Sequence, residues 1–305
     1  MPSPPHNFYK DSISNNFLYV NDMSDFFIKL SQNYLDTRQK FLYNYVEVKT
    51  LLRNKIENKE KIIGMYVQLS DISISRIAGL AGYDFVWVDT EHSYMSNETL
   101  LSHIIALKGT GTPVIVRAPQ NDLTCTKRIL EMGVDGIIFP MVRSAKEVNE
   151  VISNTLYPPY GQRGFGPMNA IDYGLKNVKE FIDEGHKRCC RFIQLEHKDA
   201  IDDLDEIMKN PYVDGYIFGP NDLAASYGLP GQPFDEKITQ VIKETVKKLH
   251  ENGKYVAIAS GGYSEEILTH WSSFGVEMLS AGADFDYIRD GAVNNRKNLE
   301  KIHKS

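Results

Sequence analysis

The sequence predicts a closed (β/α)₈ barrel. From residue 62 onward, eight short apolar runs rich in β-branched residues recur, segments of helical periodicity fall between them, and glycines stand at equivalent helix-to-strand joints. A chain of 305 residues, 42% hydrophobic, is long enough to bury the core of one such barrel.

The predicted strands are Ile62–Val67, Asp84–Asp89, Pro113–Arg117, Gly136–Pro140, Arg191–Glu196, Gly215–Phe218, Tyr255–Ala259 and Glu277–Ala281. Between them, Glu98–Lys108, Leu123–Met132, Lys146–Asn154, Ala200–Lys209 and Lys237–Asn252 carry apolar residues at helical spacing. Gly82, Gly133 and Gly275 each follow a helix and precede a strand, the place where a helix commonly ends on a left-handed residue. An open doubly wound sheet is the competing architecture. The first strand, however, leads into GMYVQLSDIS rather than a glycine-rich dinucleotide turn.

Two segments fall outside the repeat. Residues 155–188, with Tyr157-Pro158-Pro159-Tyr160-Gly161 at their start, form a long connection between the fourth and fifth strands. Connections of this length are functional or contain helix of their own. We expect helix within Asn177–Glu184 and the proline–glycine part near the site. Residues 1–47 read as an N-terminal extension, polar and then aromatic-rich, partly helical, ahead of a barrel domain at 48–305.

A formal net charge of −6 argues against general affinity for nucleic acid or anionic membrane, leaving a small molecule as the expected partner. No run of about 18 apolar residues occurs, and the N-terminus lacks the basic-then-apolar layout of a secretory signal, so a cytoplasmic location is expected. Cys125, Cys189 and Cys190 have no zinc-site spacing and read as ordinary reduced thiols.

Reacting groups in such barrels sit at the C-terminal ends of the strands, and four predicted ends carry ionisable residues. The second gives Asp89-Thr90-Glu91-His92, the third Arg117, the fifth Gln194-Leu195-Glu196 and the sixth Gly219-Pro220-Asn221-Asp222. Glu196 and Asp222, on neighbouring strand ends, offer hard oxygen ligands to a divalent metal, Mg²⁺ or Mn²⁺ with Co²⁺ as a third option. The bland alternative is that each carboxylate caps the helix that follows. Arg117 offers a planar fork of donors to a carboxylate or keto oxygen, against the alternative of a structural ion pair. His92 suits a general acid/base oriented by Asp89, while the other histidines carry no such pattern.

Together these motifs resemble the HpcH/HpaI aldolase family, the metal-dependent class II pyruvate aldolases. The resemblance covers roughly residues 48–300 and rests on Asp89-x-Glu91-His92, on Val116-Arg117 with Asn121-Asp122, on Tyr157-Pro158-Pro159 with Gly161-x-Arg163-Gly164, on Gln194-x-Glu196 and on Gly219-Pro220-x-Asp222-Leu223. It implies metal ligation by Glu196 and Asp222, enolate stabilisation by Arg117 and acid/base work by His92 paired with Asp89. It further implies a keto-acid pocket lined by Gln194, Gly219, Pro220 and Asn221, and a homo-oligomer, commonly a hexamer. The implied reaction is cleavage or formation of a 4-hydroxy-2-oxo acid from a small 2-keto acid and an aldehyde. Condensation with an acyl-CoA and decarboxylation of oxaloacetate would use the same enolate, and a barrel that only binds a keto acid is a more distant reading. The extension, Asn221 and the segment Gly164–Ala170 depart from the family pattern and bear on the second substrate.

Overall fold

The structure is a computed structural model and describes residues 51–183 and 185–304. Strands β1 (Ile62–Val67), β2 (Phe85–Asp89), β3 (Val114–Arg117), β4 (Gly136–Phe139), β5 (Cys190–Leu195), β6 (Gly215–Phe218), β7 (Val256–Ala259) and β8 (Met278–Ala283) pair in chain order. All pairs are parallel, and β8 returns to β1, so the barrel closes as the periodicity predicts.

Alternation along the strands sends one set of side chains inward and the other toward the helices. Phe85, Trp87, Ile115, Ile138, Phe192, Ile217 and Met278 fill the interior, whereas Val86, Val88, Val114, Val116, Ile193 and Leu195 meet the helical layer. Strands buried on both faces explain why they read as continuous apolar runs. The helical residues 51–57 cover the N-terminal end. Leu52 and Ile56 join the interior cluster, and Arg53 pairs with Asp214 Oδ1 at 2.8 Å ahead of β6. Each of those two aliphatic side chains contributes about 1.5–3 kcal/mol by leaving water. The extension expected over residues 1–47 lies outside the described residues.

The connecting helices are α1 (51–57), α2 (Ile72–Leu80), α3 (Asn97–Lys108), α4 (Leu123–Glu131), α5 (Ala145–Ser153), α6 (Val178–Asp183), α7 (Gly185–Arg188), α8 (Lys198–Asp202), α9 (Leu204–Ile207), α10 (Pro220–Ser226), α11 (Glu236–Glu251), α12 (Glu265–Ser272) and α13 (Asp284–His303). Gly82, Gly133 and Gly275 have φ of 87°, 74° and 82°, the left-handed joints expected from their positions. The helix predicted over Ala200–Lys209 is broken at Asp203, whose side chain turns away to accept the Ala145 N–H at the start of α5, 2.6 Å away.

The long β4–β5 connection runs elsewhere than predicted. Its proline–glycine part follows the far end of α4, where Arg163 pairs with Glu131 at 2.9 Å and Asn169 Nδ2 donates to Met132 O at 2.8 Å. That end of α4 lies at the N-terminal side of the barrel, away from the strand ends that gather the polar residues. The reason is local: Arg163 has a carboxylate partner and the Tyr157 ring 4.6 Å from its guanidinium carbon, both outside the barrel mouth. Helix does form at Val178–Asp183, inside the predicted span.

Candidate active site

The C-terminal ends of the strands surround a cavity of about 250 Å³ that touches every candidate read from the sequence: Asp89, His92, Arg117, Gln194, Glu196, Gly219, Pro220, Asn221 and Asp222. None of the described residues of the 155–188 connection lines it.

On the β2–β3 side, paired strands set Asp89 opposite Arg117. The guanidinium donates from Nε to Asp89 Oδ1 at 2.8 Å and from Nη2 to Oδ2 at 2.6 Å, a two-pronged contact. Burial would raise the Asp89 carboxyl, but the hydrogen bonds and charge of Arg117 outweigh it and hold the carboxyl below its usual range. Gln68, just past β1, donates to Asp89 Oδ2 at 2.7 Å, and the Trp87 ring lies 5.4 Å from the guanidinium carbon. Arg117 is therefore fixed in place, with Nη1 the nitrogen that Asp89 leaves free. Nη1 lies 2.9 Å from Glu91 Oε2, and that oxygen is buried without a hydrogen-bond partner. The ion-pair reading of Arg117 is correct as geometry, yet the pair faces the cavity rather than lying beneath the loops.

The expected pairing of His92 with Asp89 is not formed. Asp89 is taken up by Arg117, Gln68 and the Glu91 N–H, and the carboxylate that His92 approaches is Glu91, 3.7 Å from Nε2. The bend that follows β2 at Thr90–His92 carries His92 to the rim, where its side chain is 61% exposed.

Across the mouth, Glu196 follows β5 and is 1% exposed. Its Oε1 accepts the Met141 N–H at 2.6 Å and its Oε2 accepts Gln194 Nε2 at 2.7 Å. Burial pushes the Glu196 carboxyl up to about 8 against the pull of the Met141 N–H, and the negative charge of Asp222 adds to the rise. Met141 sits at φ 51°, a left-handed conformation costing about 1 kcal/mol or more for a residue with a side chain. That strained turn after β4 aims its N–H at the carboxylate. On the other side a Cβ on residue 219 would collide with Glu196 Oε2, so only glycine leaves the carboxylate its place.

Neither carboxylate is a helix cap. The N-cap of α8 is His197, and α10, whose first turn contains Asp222 and whose N-cap is Gly219, has no side-chain capping hydrogen bond. The donor set that remains is a buried carboxyl, an exposed carboxylate one strand away and the buried Gln194 Oε1, which has no partner. Such hard oxygens fit a divalent cation that keeps several positions for water or substrate. Among the described residues no group of three or more His, Cys, Asp or Glu side chains assembles a fuller cage.

A search of family models matches residues 62–282 to the one described as HpcH/HpaI aldolase/citrate lyase. The chain belongs to that family. It is 26% identical over 256 residues to the 2-keto-3-deoxy-L-rhamnonate aldolase of Escherichia coli strain K12, covering 83% of this chain and 94% of that one. The HpcH/HpaI aldolase of Desulfitobacterium hafniense DCB-2 superposes with a TM-score of 0.77 at 26% identity, covering 83% and 97% of the two chains. The citrate synthase SbnG superposes at 0.74 with 22% identity over 83% and 99%, a likeness of fold.

Membership accounts for the strand-end motifs, but several mouth residues have no local sequence signal. Gln68 lies past the end of β1, a strand end without an ionisable residue, and its role shows only in its contact with Asp89. Asp284, 2% exposed, accepts the N–H groups of Gln68 and Leu69 at 3.1 and 2.9 Å, and Phe285 and Asp286 reach the rim. These follow from β8 continuing to Ala283, two residues past its predicted end.

Proposed function

We propose that this chain is a divalent-metal-dependent pyruvate aldolase, a carbon–carbon lyase that cleaves or forms a 4-hydroxy-2-oxo acid. The observation carrying the reading is one cavity that combines a pinned, cavity-facing Arg117 with the uncapped carboxyl pair Glu196 and Asp222. The aldolase activity named for the Escherichia coli and Desulfitobacterium relatives supports it.

Glu196 and Asp222 would hold the cation, Mg²⁺ or Mn²⁺ with Co²⁺ also admissible, and when bound it supplies a Lewis acid for the keto oxygen. Arg117 would meet the keto acid through Nη1, the nitrogen that Asp89 leaves free, and offset negative charge that grows as the enolate forms. Asp89 and Gln68 orient that fork, so little reorganisation remains for the reacting state. Gln194, Gly219, Pro220 and Asn221 form the wall against which the keto acid lies.

In cleavage, His92 takes the proton of the 4-hydroxyl with Glu91 beside it. The C3–C4 bond breaks, its electron pair becomes the enolate double bond, and the aldehyde departs. Protonation at C3 then gives pyruvate. A homo-oligomer belongs to the same reading, because α13 leaves Ile288, Leu299 and Ile302 56%, 58% and 79% exposed.

The reading is tested by supplying 4-hydroxy-2-oxo acids to chelator-treated protein and following pyruvate release before and after Mg²⁺ or Mn²⁺. Release only with metal is the expected result, and no release from any such acid with any metal would reject the assignment.

A further inference from the structure

The acceptor side of the mouth differs from the keto-acid side in its charges. Beyond Arg117 and Glu196 the rim is formed by His92, Asn221, Gly261, Phe285 and Asp286. Among the described residues Arg117 is the only lysine or arginine that lines the cavity, and Asp89 and Glu91 already face it.

The N-terminus of the 20-residue α13 points into this rim and would otherwise attract an anion. The chain's own carboxylates occupy it instead. Asp284 Oδ1 accepts the Phe285 N–H at 2.9 Å and Asp286 Oδ2 accepts the Ala283 N–H at 3.2 Å. The nearest further cation on that helix, Arg289, pairs with Asp286 at 2.8 Å and with Asp290 at 2.8 Å. What the rim offers a second substrate is the 41%-exposed Phe285 ring, the exposed Asn221 amide and negative charge.

We infer that the electrophile taken by this site is a short uncharged aldehyde, plain or hydroxylated, and that Asp286 excludes aldehydes carrying a carboxylate or phosphate and acyl donors carrying coenzyme A. The inference rests on the proposed aldol reaction and adds the class of its second substrate. Pyruvate first loses one C3 proton to give the enolate; enolate C3 then bonds to the aldehyde carbon, the pair of the carbonyl π bond goes to the aldehyde oxygen, and that oxygen takes the proton held by His92, so one proton is lost and one gained. No further reactant is needed. A carboxylate or phosphate on the incoming chain would meet Asp286 and Asp290, two carboxylates that share the single Arg289, with no unpaired lysine or arginine among the described residues that line the cavity, and repulsion at the rim is screened by salt.

Matched pairs isolate the charge: butanal against succinic semialdehyde, and glyceraldehyde against glyceraldehyde 3-phosphate. With pyruvate and Mn²⁺ we expect the uncharged member of each pair to have kcat/KM about tenfold higher or more, equivalent to about 1.4 kcal/mol. The ratio should shrink about threefold as NaCl rises from about 20 to about 500 mM, across which the Debye length falls several-fold. Asp286→Asn should narrow it similarly, and the salt series on the parent protein serves if that variant folds poorly. Equal or better use of the anionic members would overturn the inference, as would a ratio insensitive to both salt and Asp286→Asn. Metal-dependent exchange of pyruvate methyl protons, run beside these assays, separates the two levels. Exchange with anionic preference, or with no aldehyde of either kind accepted, rejects the acceptor class alone, whereas absence of exchange rejects the aldolase reading itself.

Discussion

Arg117 and Glu196 have opposite relations to their surroundings, and that difference sets what substitution does to each. Arg117 is held by a carboxylate that is 1% exposed. Removing the guanidinium in Arg117→Ala would leave Asp89 buried without its counter-ion, a loss on the order of 3 kcal/mol in comparable buried pairs. Arg117→Lys is the cleaner probe, because it keeps the charge and loses the planar fork. We expect it to remain folded by circular dichroism while turnover falls about 100-fold or more, the scale of losing one oriented donor to a developing oxyanion. Near-parental turnover would remove Arg117 from the chemistry. Glu196 lacks such a cation and keeps its proton to about pH 8, whereas an ordinary glutamate releases it near 4.5. Between those values the folded state binds more protons than the unfolded one, so this group's contribution to stability falls as pH rises from about 4.5 to about 8. Chelated protein should accordingly lose Tm from pH 6 to pH 8.5 more steeply than Glu196→Gln, and the parent should release a proton on binding Mn²⁺ below about pH 8. Parallel Tm profiles, with no proton released in calorimetry in two buffers, would contradict the placement.

At the level of elements, the turns after the strands decide which side chains meet. The turn from β6 into α10 is a glycine because the Glu196 carboxylate occupies the space a Cβ would need. Gly219→Ala should weaken Mn²⁺ binding about tenfold or more without altering a ligand, since displaced ligands and their supports commonly cost that much. Unchanged affinity would show that the carboxylate has another position available. The β4–β5 connection behaves oppositely. Arg163→Ala removes an ion pair that is 7% and 17% exposed, and should lower stability by about 2 kcal/mol while leaving kcat/KM within about twofold. A large loss of kcat/KM would mean that this connection reaches the mouth. The contrast explains what was legible in the sequence. Strand periodicity and strand-end chemistry are local, so all eight strands and the residues Asp89, Arg117, Gln194, Glu196 and Asp222 could be read from the chain. Which carboxylate meets which cation depends on strand register and loop path. Hence Asp89 is found on Arg117 instead of His92, and Met141, Gln68 and Asp286 enter the site without advance notice.

Across the whole molecule, the barrel separates stability from reactivity by its two ends. The N-terminal end is closed by Leu52 and Ile56 and fastened by Arg53 to Asp214, while the C-terminal end gathers unpaired and oddly titrating groups. Among the described residues no helix is long and apolar enough to cross a membrane. Formation of an enolate from a small 2-keto acid at this mouth, as proposed, can be tested without knowing the aldehyde. Pyruvate in D₂O is followed by proton NMR with chelator-stripped protein, then with Mn²⁺ removed after incubation or with Mg²⁺ present throughout. The methyl signal should decay only in the metal-containing samples, and at least about 100-fold more slowly with Arg117→Lys. A methyl signal that persists with every metal, or that decays equally with the variant, would contradict it.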